Sequence, residues 1–154
     1  MKKKKILVLG ATGKTGRRVI DRLEQINEIE VRKGSRSEKQ PFDWENPESW
    51  NAILQDIDTV YITFQPDLAV PSAAETITKF TTLATQQGVQ KMVLLSGRGE
   101  KEAQICEEIV KDNAKNWTIV RASWFSQNFS ESFFLDPILA GIVALPRAEA
   151  LEPF

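Results

Sequence analysis

Lys5-Ile-Leu-Val-Leu9 runs directly into Gly10-Ala-Thr-Gly13-Lys-Thr-Gly16. The first stretch is continuously apolar behind its lysine and stops at a glycine, the pattern of a short strand buried on both faces. Beyond the glycines, Val19, Ile20, Leu23 and Ile26 fall on one side of an amphipathic helix. A glycine trio is weak evidence alone and strong evidence between a strand and a helix. Gly10 permits the tight turn, Gly13 lets backbone approach a pyrophosphate, and Gly16 lets helix and strand pack closely. Backbone N–H groups and the positive helix end then face the phosphates. Thr12, Lys14 and Thr15 are candidate contacts in the same turn. The bland alternative is a tight turn with no ligand, and the strand–turn–helix context weighs against it.

Working outward, strand and helix signals alternate. Ile29-Glu-Val-Arg-Lys33 reads as a second strand ended by Gly34, and Pro41-Phe42-Asp43 as a short third. Asn46-Pro47-Glu48 has the look of an N-cap with proline at the first helical position, opening a helix through Trp50, Ile53 and Leu54. Thr59-Val-Tyr-Ile-Thr63 is a fourth strand. A helix over about 71–87 puts Ala73, Ile77, Phe80 and Ala84 on one face, with Gly88 at its end. Lys91-Met-Val-Leu-Leu95 is a fifth strand. A helix over about 101–114 buries Ala103, Cys106, Ile109 and Val110, and Trp117-Thr-Ile-Val120 is a sixth strand. Strands alternating with such helices imply βαβ units: an α/β, Rossmann-type doubly wound parallel sheet with helices on both faces and right-handed crossovers. The expected strand order is 3-2-1-4-5-6, with ligand in the crevice beyond the carboxyl ends of the strands. Residues 1–154 read as a single dinucleotide-binding domain.

The end of the second strand discriminates between cofactors. An NAD site puts Asp or Glu there to hold the ribose hydroxyls. Here the chain reads Arg32-Lys33-Gly34-Ser35-Arg36-Ser37, with no carboxylate until Glu38. Arg36 and Ser35 suit a 2′-phosphate, which a carboxylate would repel, and Lys14 adds charge from the glycine turn. NADP(H) is the expected cofactor, with NAD(H) possible; a solvated basic loop is the alternative. Gly13-Lys14-Thr15 also invites a Walker A reading, but that loop needs a glycine where Val8 stands inside the strand.

Composition narrows the chemistry. The 154 residues are 42% hydrophobic and 27% charged, with net charge −1, an ordinary globular balance that points neither to nucleic acid nor to a membrane surface. Lys2 to Lys5 read as a solvated leader; the apolar run behind them is too short for a signal peptide, and a cytoplasmic protein is expected. There is no histidine, which excludes a Ser-His-Asp triad and His ligation of a metal. The single cysteine, Cys106, cannot form an internal disulfide or a zinc site alone, and reads as a buried helix residue rather than a reactive thiol. No metal site is expected.

Several stretches together resemble a known family. The glycine turn, Gly34-Ser-Arg-Ser37, Phe42-Asp-Trp-Glu45 with Trp50, Leu94-Leu-Ser-Gly97, and Trp117-Thr-Ile-Val-Arg-Ala-Ser-Trp-Phe-Ser-Gln-Asn-Phe129 are similar to NmrA-like atypical short-chain dehydrogenases/reductases. The nearest branch contains ergot-alkaloid reductases of the agroclavine dehydrogenase type and many bacterial NAD(P)-binding proteins. The resemblance implies roles by position. Asp43 and Trp44 would flank the adenine. Thr63, Phe64 and Gln65 would lie near the inner ribose and nicotinamide. Ser96 and Gly97 would sit beside the nicotinamide, and Ala122, Ser123, Trp124 and Phe125 would close over it. An NADPH-dependent reductase of a small organic substrate, a quinone or imine, is one expected activity. A non-catalytic NADP(H) sensor acting through a protein partner is the other.

Two features depart from the wider superfamily. Its Tyr-x-x-x-Lys pair, in which tyrosine passes a proton to a carbonyl, is absent: the only tyrosine is Tyr61, inside the fourth strand. No catalytic residue is therefore assigned. The family also continues for roughly a hundred residues beyond the point matched by Leu151-Glu-Pro-Phe154, so the substrate region is expected to be largely missing. Trp124, Phe125, Phe129, Phe133, Phe134 and Leu135 have near-helical spacing, and an uncovered apolar face there would favour a homodimer.

Overall fold

The computed structural model describes residues 2–142. The chain order is β1 (Lys4–Leu9), α1 (Lys14–Leu23), β2 (Ile29–Gly34), α2 (Glu48–Leu54), β3 (Thr59–Ile62), α3 (Ala73–Gln86), β4 (Lys91–Gly97), α4 (Lys101–Asn113), β5 (Asn116–Ala122), then two short helices, α5 (Gln127–Ser130) and α6 (Leu135–Leu139). The strands form one parallel sheet in the order β2-β1-β3-β4-β5. This is the doubly wound order read from the sequence, less its short edge strand. The point of reversal lies between β1 and β3, where the carboxyl ends diverge and leave a crevice.

Pro41-Phe42-Asp43 is not a strand. Proline has no N–H to give a ladder, and Phe42 is drawn into the core instead, 4% exposed, with its own N–H bonded to the Ser35 carbonyl at 3.0 Å. Its ring packs against Trp44, Trp50 and Phe80 at centroid separations of 4.9, 6.4 and 5.7 Å. The segment is a connection pinned by an aromatic cluster. The helix after it opens as read: Asn46 Oδ1 accepts the Glu48 N–H at 3.2 Å, and Pro47 needs no partner.

The two faces of the sheet are unequally covered. Leu7, Leu9, Val60, Ile62, Met92 and Leu94 meet α2, α3 and α4 in the main core, where Phe80 and Ile77 are fully buried. Truncating a buried Phe to Ala typically costs about 3–5 kcal/mol. On the opposite face Val8, Ala11 and Ile20 form a small cluster under α1, edged by Val19, Leu23 and Tyr61. Ile26, expected on the α1 stripe, lies beyond the helix and is 44% exposed, because α1 closes when the Glu24 N–H bonds to the Ile20 carbonyl.

The segment after β5 is not one helix. It makes α5, a turn and α6, and Glu131 at that turn pairs with Arg17 and Arg18 of α1. Trp124, Phe129 and Phe134 cluster ring against ring, while Phe133 is 65% exposed. Leu151 to Phe154, where the resemblance places the family's continuation, lie outside the described residues.

Candidate functional site

The glycine turn is built by three close backbone approaches. Gly10 has φ +64°, and a Cβ on it would stand 2.3 Å from Thr63 Oγ1. The Thr63 hydroxyl donates to the Leu9 carbonyl at 3.2 Å, so the ends of β1 and β3 are joined across the point of reversal. Gly16 sits on Gly10: a Cβ there would be 2.1 Å from the Gly10 carbonyl oxygen. The turn closes with the Gly13 N–H on the Gly10 carbonyl and the Ala11 N–H on the Gly34 carbonyl. The first helical bond runs from Arg17 N–H to Gly13, so the amides of Lys14, Thr15 and Gly16 have no intrahelical acceptor. No side chain caps this end and its first turn holds no carboxylate. It therefore presents free N–H groups and the positive end of the helix.

Two clefts open beside the turn. The first, of about 510 Å³, is lined by Gly10, Thr12, Gly13, Ser35, Arg36, Asp43, Trp44, Thr63 and Gln65, all anticipated from sequence, and by Gly34, Phe42, Glu45 and Pro66, which were not. Arg36 is the only basic residue among the described residues lining it. Asp43 turns one carboxylate oxygen onto the Glu45 N–H at 3.0 Å, and Trp44 spends its indole N–H on the Thr63 carbonyl at 3.1 Å. Trp44 thus stands on edge against Phe42, Trp50 and Phe80, a fixed aromatic wall backed by the main core.

The second cleft, of about 330 Å³, shares Thr63 and Pro66 with the first, so the two form one crevice. Phe64, Ser96, Gly97 and Ser123, named from the sequence, line it together with Ala122, Trp124 and Phe125. Asp67, Glu100 and Asn128 also line it and were not foreseen. Lys14, Thr15 and Gly16 do not line either cleft; the Thr15 side chain instead lies near the Tyr61 phenol. Burial raises the Tyr61 pKa above its ordinary value, and the Thr15 hydroxyl partly offsets this.

Behind Ser96 lies the residue that sequence reading missed. Glu107 is fully buried, accepts the Ser96 hydroxyl at 2.7 Å, and is clasped by Arg121 through Nε at 2.9 Å and Nη2 at 2.5 Å. The Arg121 hydrogen bonds hold the Glu107 carboxyl below the usual carboxylate range, with help from Ser96, against the opposing effect of burial. The available signal was a carboxylate on the apolar stripe of Ala103, Cys106 and Val110. Cys106 itself is buried, and desolvation, with the Glu107 charge beside it, pushes its thiol up to about 11. Among the described residues no three His, Cys, Asp or Glu side chains converge as a metal site, and no helix is long and apolar enough to cross a membrane.

The fold and crevice define the chain as a Rossmann-type α/β domain. No family model matches it. It is similar to the prestalk A differentiation protein A of Dictyostelium discoideum, 28% identical over 96% of this chain and 54% of that protein. It is also similar to the agroclavine dehydrogenase of Claviceps purpurea, 30% identical over 81% of this chain and 48% of that protein. The chain thus spans about half the length of the curated relatives it matches. Among solved structures, the Citrobacter sp. triphenylmethane reductase complexed with NADP(H) superposes with a TM-score of 0.68, at 17% identity, over 88% of this chain and 54% of that one. The solved structures it superposes on also include a Rossmann-fold NAD(P)-binding family protein from Shigella flexneri, with a TM-score of 0.64 at 21% identity over 79% of this chain and 68% of that one, in keeping with the fold read from the sequence.

Proposed function

We propose that the crevice binds NADP(H), and that the domain is the cofactor-binding part of a reductase passing hydride to a small organic substrate, a quinone or an imine. The observation that carries the cofactor reading is the first cleft. An uncapped helix N-terminus opens beside it, Arg36 and Ser35 follow β2 where an NAD site keeps a carboxylate, and Asp43 has one oxygen committed to backbone. Phosphate on Arg36 and pyrophosphate over Gly13 would span the two ends of that cleft. The nicotinamide would then lie towards Ser96, Gly97 and Ser123 in the second. NADP+ and NAD+ titrations against intrinsic tryptophan fluorescence test this; tighter NAD+ than NADP+ would overturn the assignment.

A second reading, a redox sensor that binds NADP(H) without turning it over, is supported by Tyr61. The only phenol in the chain meets Thr15 beside α1 and is not among the residues lining the crevice. Reduction of a carbonyl would therefore lack that proton donor, while hydride transfer to an already protonated imine needs none. NADPH oxidation that depends on added imine or quinone supports the reductase; cofactor binding with no turnover on either supports the sensor.

A further inference from the structure

Glu107, buried behind Ser96 and clasped by the half-exposed Arg121, fixes the polarity of the second cleft. A serine hydroxyl has one hydrogen to give and two lone pairs to receive with. In Ser96 the hydrogen goes to Glu107 at 2.7 Å. Glu107 can only accept, because Arg121 keeps it ionised and occupies both of its oxygens. Ser96 is 4% exposed and is one of the residues lining the cleft, so any contact its hydroxyl makes there is through a lone pair. Thr63, on the same wall, also spends its hydroxyl hydrogen inside the protein, on Leu9. The charged groups of the wall are the carboxylates of Asp67 and Glu100, with no Lys or Arg among the described residues lining it.

We propose that Glu107 is a positioning residue that locks Ser96 as a hydrogen-bond acceptor, so that the reactive end of the crevice takes a group bearing N–H, neutral or cationic, in preference to a carbonyl oxygen. This rests on the cofactor reading for the location of the reactive end, and deepens it: an imine protonated on nitrogen satisfies Ser96, whereas a quinone carbonyl would meet an acceptor with an acceptor. The N–H group has two possible sources, the nicotinamide carboxamide or the substrate. Ser123 and Asn128, elsewhere on the wall, adapt to either.

Two ligand pairs that differ by the N–H test it, each titrated against intrinsic tryptophan fluorescence. One is NADP+ against 3-acetylpyridine adenine dinucleotide phosphate, which replaces the carboxamide with an acetyl group. The other is protonated 3,4-dihydroisoquinoline against its N-methyl iminium, equal in charge but without the N–H. The wild type should prefer the N–H member of one pair, by about 2- to 12-fold for the neutral amide or about 12- to 150-fold for the cationic group. The pair that discriminates identifies the source. Glu107→Gln places an amide N–H₂ where it can donate to Ser96, freeing the hydroxyl hydrogen for the cleft, and should abolish or reverse the preference. Ser96→Ala should abolish it with the Glu107–Arg121 pair intact, and serves if Glu107→Gln does not fold. A purely structural role for Glu107 would weaken both members of a pair alike and leave their ratio unchanged. Equal affinities within both pairs in the wild type, or a preference that survives both substitutions, would overturn the proposal. Failure of both dinucleotides to bind while the imine pair is still distinguished would remove the cofactor reading and leave the acceptor role of Ser96 standing.

Discussion

Replacing Gly16 by alanine separates the architecture of the glycine turn from its ligand chemistry. A Cβ at residue 16 would lie 2.1 Å from the Gly10 oxygen and 2.8 Å from its carbonyl carbon. Contacts below 3.0 Å are essentially never seen, so α1 and the end of β1 must part by about 0.9 Å, and both partners are backbone. Forcing such overpacking costs about 1–3 kcal/mol or more, while alanine recovers roughly 0.5–1 kcal/mol of helix propensity. A net loss of about 1–2 kcal/mol corresponds to a fall of roughly 2–8 °C in Tm for a chain of this size. Gly13 is the control. Its φ is −76°, open to any residue, and its Cβ would stand 3.2 Å from the Gly10 oxygen, which needs a shift of only tenths of an ångström. Gly13→Ala should keep Tm within about 2 °C and weaken NADP+ binding, because the methyl group occupies the approach of the pyrophosphate. Thermal melting by circular dichroism and NADP+ titration of both variants decide the matter. A Gly16→Ala protein that melts at or above the wild type would refute the packing argument, and undiminished NADP+ affinity in Gly13→Ala would remove the phosphates from the turn.

Arg36→Ala should lower NADP+ affinity by roughly 10- to 150-fold, the worth of one charge-assisted contact, and leave NAD+ affinity nearly unchanged in parallel titrations. Tyr61→Phe should leave any turnover within a few-fold; a loss of about 10²- to 10⁴-fold, the usual contribution of a general acid, would return Tyr61 to the chemistry. Glu107 titrates below its ordinary 4.5 in the folded state, so the native chain binds fewer protons than the unfolded one in mild acid. Its stabilisation is present above about pH 4.5 and drains away as pH falls through the lowered native value; in melts from pH 7 to pH 3, Ser96→Ala and Arg121→Gln should each lessen that acid sensitivity. With its pKa near 11 and its side chain buried, Cys106 should resist iodoacetamide at pH 7.5 in the native protein and react on unfolding.

What was legible in the sequence was local and periodic. A continuous apolar run ending in glycine marked β1, Ile29 and Val31 ahead of Gly34 marked β2, the stripe of Ala73, Ile77, Phe80 and Ala84 marked α3, and the alternation of strands and helices determined the parallel order. The first cleft was legible because its residues follow strand ends directly, where a Rossmann crevice must lie. The losses occurred where tertiary contacts decide. Pro41-Phe42-Asp43 was read as a short strand, but Phe42 is buried among Trp44, Trp50 and Phe80, and that burial outweighs one edge ladder. The near-helical spacing of Trp124, Phe125, Phe129, Phe133, Phe134 and Leu135 suggested one helix, yet the ring contacts among Trp124, Phe129 and Phe134 form without it. Glu107 was passed over because a helix stripe is read by its apolar members, and its partners lie 11 and 14 residues away, on two different strands.

The unequal cover of the sheet bears on how the domain breathes. Among the described residues, helix α1, whose bare end opens beside the first cleft, sets a single buried apolar side chain, Ile20, in the small cluster with Val8 and Ala11, whereas α3 and α4 share the large core on the other face. Segments with few buried contacts open locally at lower free energy than the body they belong to. Amide protons of α1 should therefore exchange with solvent faster than those of α3, β3 and β4. A ligand gripping the amides of that helix would raise the free energy of its local opening by RT ln(1 + [L]/Kd), so occupancy of the glycine turn becomes visible as slowed exchange confined to one helix, without a spectroscopic label and without turnover.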